Sequence, residues 1–302
     1  MSPGIRAMED LAGPAARVRA ALEEIFAAVS VIGAAFARQH DRCLAAGAAL
    51  TPDRLGALRE VIWHQLGQLP AADGAGLVAA RGVVAGKERH LEWWQRTGPA
   101  DDSQHGFARI RLNLDPESVD LYDYLDMDWF TVPRRLGRRY VYGPQFDFSG
   151  ADRYVLTLTV PVFGEAAAEP GYAVPYPRTA GHEGLPAPAR DGGLGGGDGG
   201  LGGDGGLGGD GGLGGDGGRA FLGVAGTDIR MAQLEPELLA ILRDVPAPAV
   251  LVTAERRVVA ANTPRWIAGT RLSRLPAAGD GTFGGVTGVG ADSGWVLAAA
   301  SR

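Results

Sequence analysis

Apolar residues near the start of the chain recur at intervals of three and four, the period of an amphipathic helix. The repeating positions lie within residues 14–48 and are Val18, Leu22, Ile25, Phe26, Val29, Ile32 and Phe36. Because the apolar stripe is wide, we expect this helix to pack against a domain or a second subunit. A further helix is predicted to begin at Thr51, a favoured N-cap residue, with Pro52 in its first position. The pattern therefore divides the start of the chain into a flexible tail at 1–13 and a helical segment at 14–70.

From residue 71 to residue 232 the period becomes that of short strands separated by turn residues. The alternation is clearest at 154–162, where Val155, Thr157 and Thr159 share one face. A helical turn is predicted at 120–126. The predicted strands are 76–84, 90–96, 107–114, 138–143, 154–162 and 219–229.

A long insertion at 164–218 separates the last two of these strands, as an overgrown hairpin loop would. Residues 191–218 contain 19 glycines, five aspartates and four leucines in a GGLGGD repeat. Glycine loses the most conformational entropy on ordering, and one leucine per repeat buries little surface, so we expect disorder here. Calcium-binding β-rolls also repeat glycine and aspartate, but with a nine-residue period that this segment lacks.

The remaining residues, 233–302, predict a second and smaller α+β module. A helix is expected at 234–245 and a hairpin at 249–262 that turns at 254–256. The glycine-rich stretch 284–290 superficially resembles a phosphate-binding loop. It lacks the lysine of such loops and does not clearly open a helix, so it does not predict nucleotide binding.

Charge and composition narrow the possible partners. The chain has 302 residues and a formal net charge of −6, which argues against nucleic-acid binding, since phosphate contacts require a basic face. Its single cysteine, Cys43, excludes an intrachain disulfide, and we expect it to be buried. The N-terminus has no signal-peptide pattern, and the longest apolar run, 25–37, is shorter than the roughly 20 residues of a membrane span. These features predict a cytoplasmic protein without a membrane partner.

Conventional catalytic motifs are missing from the sequence. No G-x-S-x-G turn is present, and the histidines do not have the spacing of metal ligands. Those histidines are His40, His64, His90, His105 and His182. We therefore expect neither an enzyme nor a metal or cofactor site.

Aromatic and acidic residues alternate between residues 121 and 147. The aromatic residues are Tyr122, Trp129, Phe130 and Tyr142, and the acidic residues are Asp123, Asp126, Asp128 and Asp147. One interpretation is core aromatic residues with solvated carboxylates on loops. The other is a pocket whose rings and carboxylates receive a cationic ligand through cation–π contacts and charge-assisted hydrogen bonds.

Four motifs occur in an order that resembles the Cache domains, PAS-like extracytoplasmic sensors of bacteria. They are W-F-x-x-P at 129–133, G-P-x-x-D at 143–147, L-T-x-T-x-P-V at 156–162 and G-V-x-G-x-D-I at 223–229. The stretch GAGLVAARGVV followed by LEWW looks like the corresponding part of soluble actinobacterial members. The resemblance covers about residues 70–265 and is closest to the double-Cache type.

The resemblance implies a fold and a ligand site. The fold would be α+β, with a PAS-like antiparallel sheet, a long N-terminal helix and a smaller second module. In double-Cache domains that bind amino acids, the positions of Trp129, Phe130 and Asp228 hold the ligand, and Tyr122 also matches. The arginine expected two residues before the tryptophan is Met127 here, and an expected tyrosine is Gln145. Without that guanidinium the bidentate grip on a carboxylate is lost, which favours an amine or another cationic metabolite.

The sequence therefore predicts a non-catalytic sensor that binds a small metabolite and signals through a partner protein, with a transcriptional regulator as one candidate. The N-terminal helix is the expected surface for that partner or for a homodimer, with packing inside the protein as an equal alternative. A Cache-fold scaffold that has lost its ligand is the alternative. The predicted ligand-binding residues are Tyr122, Asp126, Asp128, Trp129, Phe130, Tyr142, Gln145, Asp147 and Asp228.

Overall fold

The structure is a computed structural model that describes residues 3–97, 106–147, 153–165 and 219–301, with side chains from residue 11 onward. The helices are α1 (Pro3–Ala45), α2 (Pro52–Gly56), α3 (Arg59–Gln68), α4 (Asp128–Leu136) and α5 (Met231–Arg243), and a 3-10 turn spans Tyr124–Asp126. The strands are β1 (Ala72–Ala79), β2 (His90–Arg96), β3 (Phe107–Arg109), β4 (Tyr140–Asp147), β5 (Arg153–Gly164), β6 (Ala220–Arg230), β7 (Ala249–Val252), β8 (Val258–Ala261), β9 (Phe283–Gly288) and β10 (Val296–Ala300).

The larger sheet is antiparallel, with strand order β3-β2-β1-β6-β5-β4. Strands β5 and β6 pair along their length, from Val155 opposite Arg230 to Gly164 opposite Ala220. The insertion between these strands thus occupies a hairpin connection, as its sequence position predicts. Residues 166–218, which include the GGLGGD repeat, lie outside the described residues.

The second module is built on a smaller antiparallel sheet with strand order β8-β7-β10-β9. Its first hairpin turns at Arg256, which has a positive φ of 69°, close to the predicted position. Residues 284–290 overlap β9 and do not open a helix. The structure confirms the predicted fold class, an α+β protein with one large antiparallel sheet, a long N-terminal helix and a second small sheet.

Helix α1 packs on one face of the large sheet and also contacts the second module. The side chains of Leu22, Phe26, Ile32 and Phe36 are buried on its inner face, as the apolar stripe predicts. The opposite face of the large sheet is covered by the segment from residue 110 to α4, whose buried side chains include Tyr124 and Phe130. The sheet therefore separates the helical core from a second apolar cluster.

Within the described residues one helical stretch, Leu11–Ala45, is long and apolar enough to cross a membrane by length and composition alone. Half of its most apolar window is buried inside the fold. The core helix of a soluble protein can have the same properties, so this stretch is weak evidence for a membrane span.

The N-terminal helices differ from the sequence prediction in two respects. Helix α1 begins at Pro3, within the segment predicted to be a flexible tail, because the apolar stripe continues across Pro14 to the fully buried Leu11. The next helix does start at Thr51, whose hydroxyl accepts a hydrogen bond from the Arg54 amide, but it is split into α2 and α3.

The strand segments also contain corrections. The predicted strand at 107–114 pairs with β2 only over Phe107–Arg109, and β1 starts at Ala72 rather than at residue 76. Helix α4 was not predicted at all. Its N-cap, Met127, has no side-chain acceptor, and Pro133 within the helix resembles a stop signal. Burial of Trp129, Phe130 and Pro133 on one face stabilises the helix in spite of this.

Candidate functional site

A narrow cavity lies on the side of the large sheet away from α1. Its floor is formed by strand residues, among them Trp93 of β2, Thr157 of β5 and Asp228 of β6. Its cover comes from the segment that leads into α4, including Tyr122 and Trp129. The free volume is about 60 Å³. The remaining residues that line this inner cavity are Val78, Leu91, Gln95, Ile110, Leu112, Gln145 and Asp147.

A wider outer cleft of about 390 Å³ adjoins the inner cavity. Tyr122, Trp129, Gln145 and Asp147 line both spaces, so the two are adjacent parts of one candidate site. The outer cleft has five further lining residues that do not reach the inner cavity, namely Asp126, Met127, Asp128, Tyr142 and Phe146.

Strand pairing places Asp228 at the floor of the inner cavity. It lies opposite Thr157 on one neighbouring strand and opposite Gly74 on the other. The Thr157 hydroxyl donates a hydrogen bond of 2.7 Å to Asp228 Oδ1. A Cβ at Gly74 would be 2.6 Å from Trp93 Nε1, so glycine here leaves the space that the Trp93 indole occupies.

The surroundings of Asp228 favour its neutral form. Burial raises the pKa of this carboxyl to about 7, the hydrogen bond from Thr157 opposes the increase, and the nearby Asp147 and Asp73 add to it. The carboxyl is enclosed by protein while part of its surface faces the cavity. A cation entering the cavity would lower this pKa again by stabilising the carboxylate.

The acidic residues around the cavity also affect Tyr122. Its pKa is raised above the usual value, first by burial and then by Asp228, Asp147 and Tyr142. The phenol is therefore a neutral hydroxyl at physiological pH. Among the described residues that line either space there is no lysine, arginine or histidine.

Two other acidic residues near the site already have arginine partners. Arg89 forms two hydrogen bonds with Asp123, of 3.1 and 2.7 Å, and thereby lowers the pKa of that carboxyl. Asp73 lies 3.2 Å from Arg153 and 3.8 Å from Arg230. These carboxylates serve the fold, whereas Asp228 faces the cavity.

Eight of the nine predicted site residues line the inner cavity or the outer cleft; the structure brings them together from three stretches of the chain, 122–129, 142–147 and residue 228. Phe130 does not. Its ring is fully buried and contacts Tyr124, Trp129 and Phe221 at centroid distances of 5.3, 6.1 and 5.6 Å. Because consecutive residues of a helix point in different directions, α4 presents Trp129 to the cavity and Phe130 to the core.

Sequence reasoning missed several residues of the inner cavity, including Trp93, Gln95 and Thr157. Their signal was the strand alternation at 90–96 and 154–162, which puts alternate residues on one face. Only the strand order shows that these faces of β2 and β5 lie on the same side of the sheet as Asp228. Met127, at the position of the expected arginine, lines the outer cleft and accepts a hydrogen bond from Trp129 Nε1 at 3.2 Å.

The described residues contain no group of three or more His, Cys, Asp or Glu side chains that could hold a metal ion. The site is lined by aromatic rings, aliphatic side chains, hydroxyls, amides and carboxylates. This arrangement can bind a small molecule non-covalently, and it offers carboxylates where a ligand would carry positive charge.

No protein-family model matches the chain, and no curated protein matches it. Among solved structures it is similar to an extracellular domain assigned to a histidine kinase, mmHK1S-Z2, with 14% identity over 90% of this chain and 77% of that one and a TM-score of 0.49. It is also similar to the ligand-binding domain of the Pseudomonas aeruginosa amino acid chemoreceptor PctC in complex with GABA, with 15% identity over 94% of this chain and 93% of that one and a TM-score of 0.44. The ligand-binding domain of the Campylobacter jejuni chemoreceptor Tlp3, in complex with L-norvaline, has 12% identity over 88% of this chain and 73% of that one, with a TM-score of 0.43.

Proposed function

We propose that this protein is a non-catalytic sensor whose cavity binds a small cationic metabolite, most simply an amine. The observation that carries the proposal is the Asp228 carboxyl, which faces a cavity whose described lining contains no cationic side chain. A carboxylate in such surroundings lacks the counter-charge that an ammonium group would supply.

The polar contacts supply part of the energy that a metabolite complex needs. A charge-assisted hydrogen bond contributes about 1.5–3 kcal/mol, and a desolvated cation–π contact about 0.5–2 kcal/mol. Asp228 offers the first, and the rings of Trp93 and Trp129 offer the second. A micromolar complex requires about 8.2 kcal/mol after the cost of association, so burial of the apolar part of the ligand must supply the rest.

An α-amino acid fits this site less well than an amine. Its carboxylate would need a donor such as arginine, but the expected position carries Met127, and the residues around it at the mouth include Asp126 and Asp128. Gln145 provides an amide rather than a charge. The carboxylate of an amino acid would therefore meet negative potential at both ends of the site.

The output is proposed to pass through the second module to a partner protein. The Tyr140 hydroxyl on β4 donates a hydrogen bond of 3.3 Å to Glu255 Oε1 in the β7–β8 turn. Tyr142, two residues further along the same strand, lines the outer cleft. We extend the proposal to a transcriptional regulator as the partner, to a homodimer through α1, and to a cytoplasmic location. Burial of the apolar face of α1 within the fold supports a packing role for this helix over a membrane span.

A thermal-shift panel tests the ligand class. Amines, α-amino acids and organic acids are compared at equal concentration with the full chain at pH 8. Since a ligand that binds the native state stabilises it by RT ln(1 + [L]/Kd), amines at 100 times their Kd should add about 2.7 kcal/mol, and organic acids should add nothing. No shift with any amine would contradict the proposal and favour a ligand-free scaffold.

A further inference from the structure

The site has carboxylates at two ends rather than at one. Asp228 lines only the inner cavity, Asp126 and Asp128 line only the outer cleft, and Asp147 lines both. After burial, the charges of Asp147 and Asp73 contribute to the raised pKa of Asp228. At the other end, Asp128 contributes to the raised pKa of Tyr140 and Tyr142. The negative charge is thus divided between a deep position and the mouth.

The walls between these ends are aromatic. Tyr122 and Trp129 line both spaces, and Leu112 and Ile110 extend the apolar wall in the inner cavity. Such surfaces accept methylene groups, which gain about 0.8 kcal/mol each when buried. The deep space of about 60 Å³ is much smaller than the roughly 300–1,000 Å³ of common ligand pockets, so most ligands that reach Asp228 must extend outward.

Within the described residues, the outer carboxylates have no competing partner. Neither Asp126 nor Asp128 has an ion pair or side-chain hydrogen bond there, in contrast to Asp123 and Asp73. Both are exposed at the rim of the cleft. They line the cleft that adjoins the inner cavity, and Met127 between them adds an apolar surface.

We propose that the preferred ligand is an α,ω-diamine, with one ammonium group at Asp228 and Asp147 and the other at Asp126 and Asp128. This inference rests on the proposed function, because it assigns the ligand class of the same site. The aromatic walls hold the methylene chain between the two charges. The contact in the inner cavity is available to monoamines and diamines alike. The carboxylates at the mouth favour a diamine, because only a diamine has a second ammonium group to place there.

Calorimetric titration at pH 8 separates the two contributions. The wild-type chain is titrated with n-alkylamines and α,ω-diamines of three to six carbons. At the best length we expect the diamine to bind about fivefold more tightly than the monoamine, because an exposed ion pair contributes up to about 1 kcal/mol. This exceeds the statistical factor of about two that arises from two equivalent ends.

The double variant Asp126→Asn/Asp128→Asn should reduce that ratio to about two while the affinity for the monoamine stays within about twofold. The matched control, Glu117→Gln/Asp120→Asn, removes two exposed charges of the same connecting segment outside both spaces, and it should retain the wild-type ratio. Equal affinity for monoamine and diamine in the wild type, or an unchanged ratio in the double variant, would overturn the diamine assignment alone. Failure of every amine to bind would overturn the proposed function as well.

Discussion

At the scale of single residues, Asp228 has an energetic cost to the fold that the proposed ligand would reduce. Its carboxyl accepts a hydrogen bond from Thr157 yet has a pKa of about 7, because burial and two neighbouring aspartates oppose ionisation. Such a group favours the binding of a cation, since a bound ammonium group would stabilise the ionised carboxylate.

The raised pKa predicts how stability changes with pH. Between about pH 4 and pH 7 the folded chain retains the Asp228 proton and the unfolded chain has lost it, so this residue makes the fold less stable as the pH rises through that range. Asp228→Asn removes the effect. Relative to wild type, the variant should gain about 4 kcal/mol in unfolding free energy between pH 4 and pH 8.

Urea denaturation at several pH values measures that difference. His90 also titrates in this range: burial lowers its pKa to about 4, so its contribution to stability is lost as the pH falls below about 6.5. Because wild type and variant share His90, its contribution cancels in the comparison. A difference that stays constant from pH 4 to pH 8 would show that Asp228 has an ordinary pKa.

At the scale of elements, Arg139 connects three parts of the fold immediately before β4. Its guanidinium donates to both carboxylate oxygens of Glu23 on α1, at 2.6 and 2.5 Å, and to Asp292 of the second module at 3.1 Å. It also lies over the Phe26 ring, 4.7 Å from the centroid. The contact with Arg139 lowers the pKa of Glu23.

Replacing this arginine should therefore weaken the packing of the modules. Arg139→Met retains an apolar stem over Phe26 but loses the ion pairs, and it should lower the unfolding free energy by about 1–2 kcal/mol, since the pairs are partly exposed. The neighbouring Arg138, half-exposed and 3.7 Å from Asp292, provides the control. Arg138→Met should change the unfolding free energy by less than about 0.5 kcal/mol in the same urea titration. Equal effects of the two variants would contradict the assigned role of Arg139.

The elements also show where sequence reasoning succeeds and where it stops. Residues 90–96 were predicted as a strand with the bounds of β2, because alternation and aromatic residues point to the same structure. Helix α4 was missed, since its start lacks a capping side chain and its stabilisation comes from burial of Trp129 and Phe130. Local signals therefore identified elements with strong periodicity, and tertiary packing decided the others.

At the scale of the whole molecule, the candidate site depends on both kinds of information. The motif ending in Asp228 was visible in the sequence, as was the group of aromatic and acidic residues between Tyr122 and Asp147. That Thr157 and Trp93 join them follows only from the strand order, which places β2, β5 and β6 in one sheet. The difference in role between Trp129 and Phe130 required the helix that the sequence did not predict.

The arrangement of modules gives the proposed sensor a route for its signal. The outer cleft includes Tyr142 of β4, and the same strand contacts Glu255 in the first hairpin of the second module through Tyr140. A ligand that orders the mouth of the site would thus act on a strand of the large sheet that contacts the second module. Helix α1, which contacts both sheets, couples them on the opposite side.

The central claim is that a cationic ligand pairs with Asp228, and one calorimetric comparison tests it most directly. An amine that binds the wild-type chain is titrated at pH 8.5, where the Asp228 carboxyl is ionised, into wild type, Asp228→Asn and the exposed control Asp120→Asn. We expect Asp228→Asn to lose at least about thirtyfold in affinity, the equivalent of one charge-assisted hydrogen bond, and Asp120→Asn to bind like wild type. An affinity of Asp228→Asn within about twofold of wild type would contradict the claim.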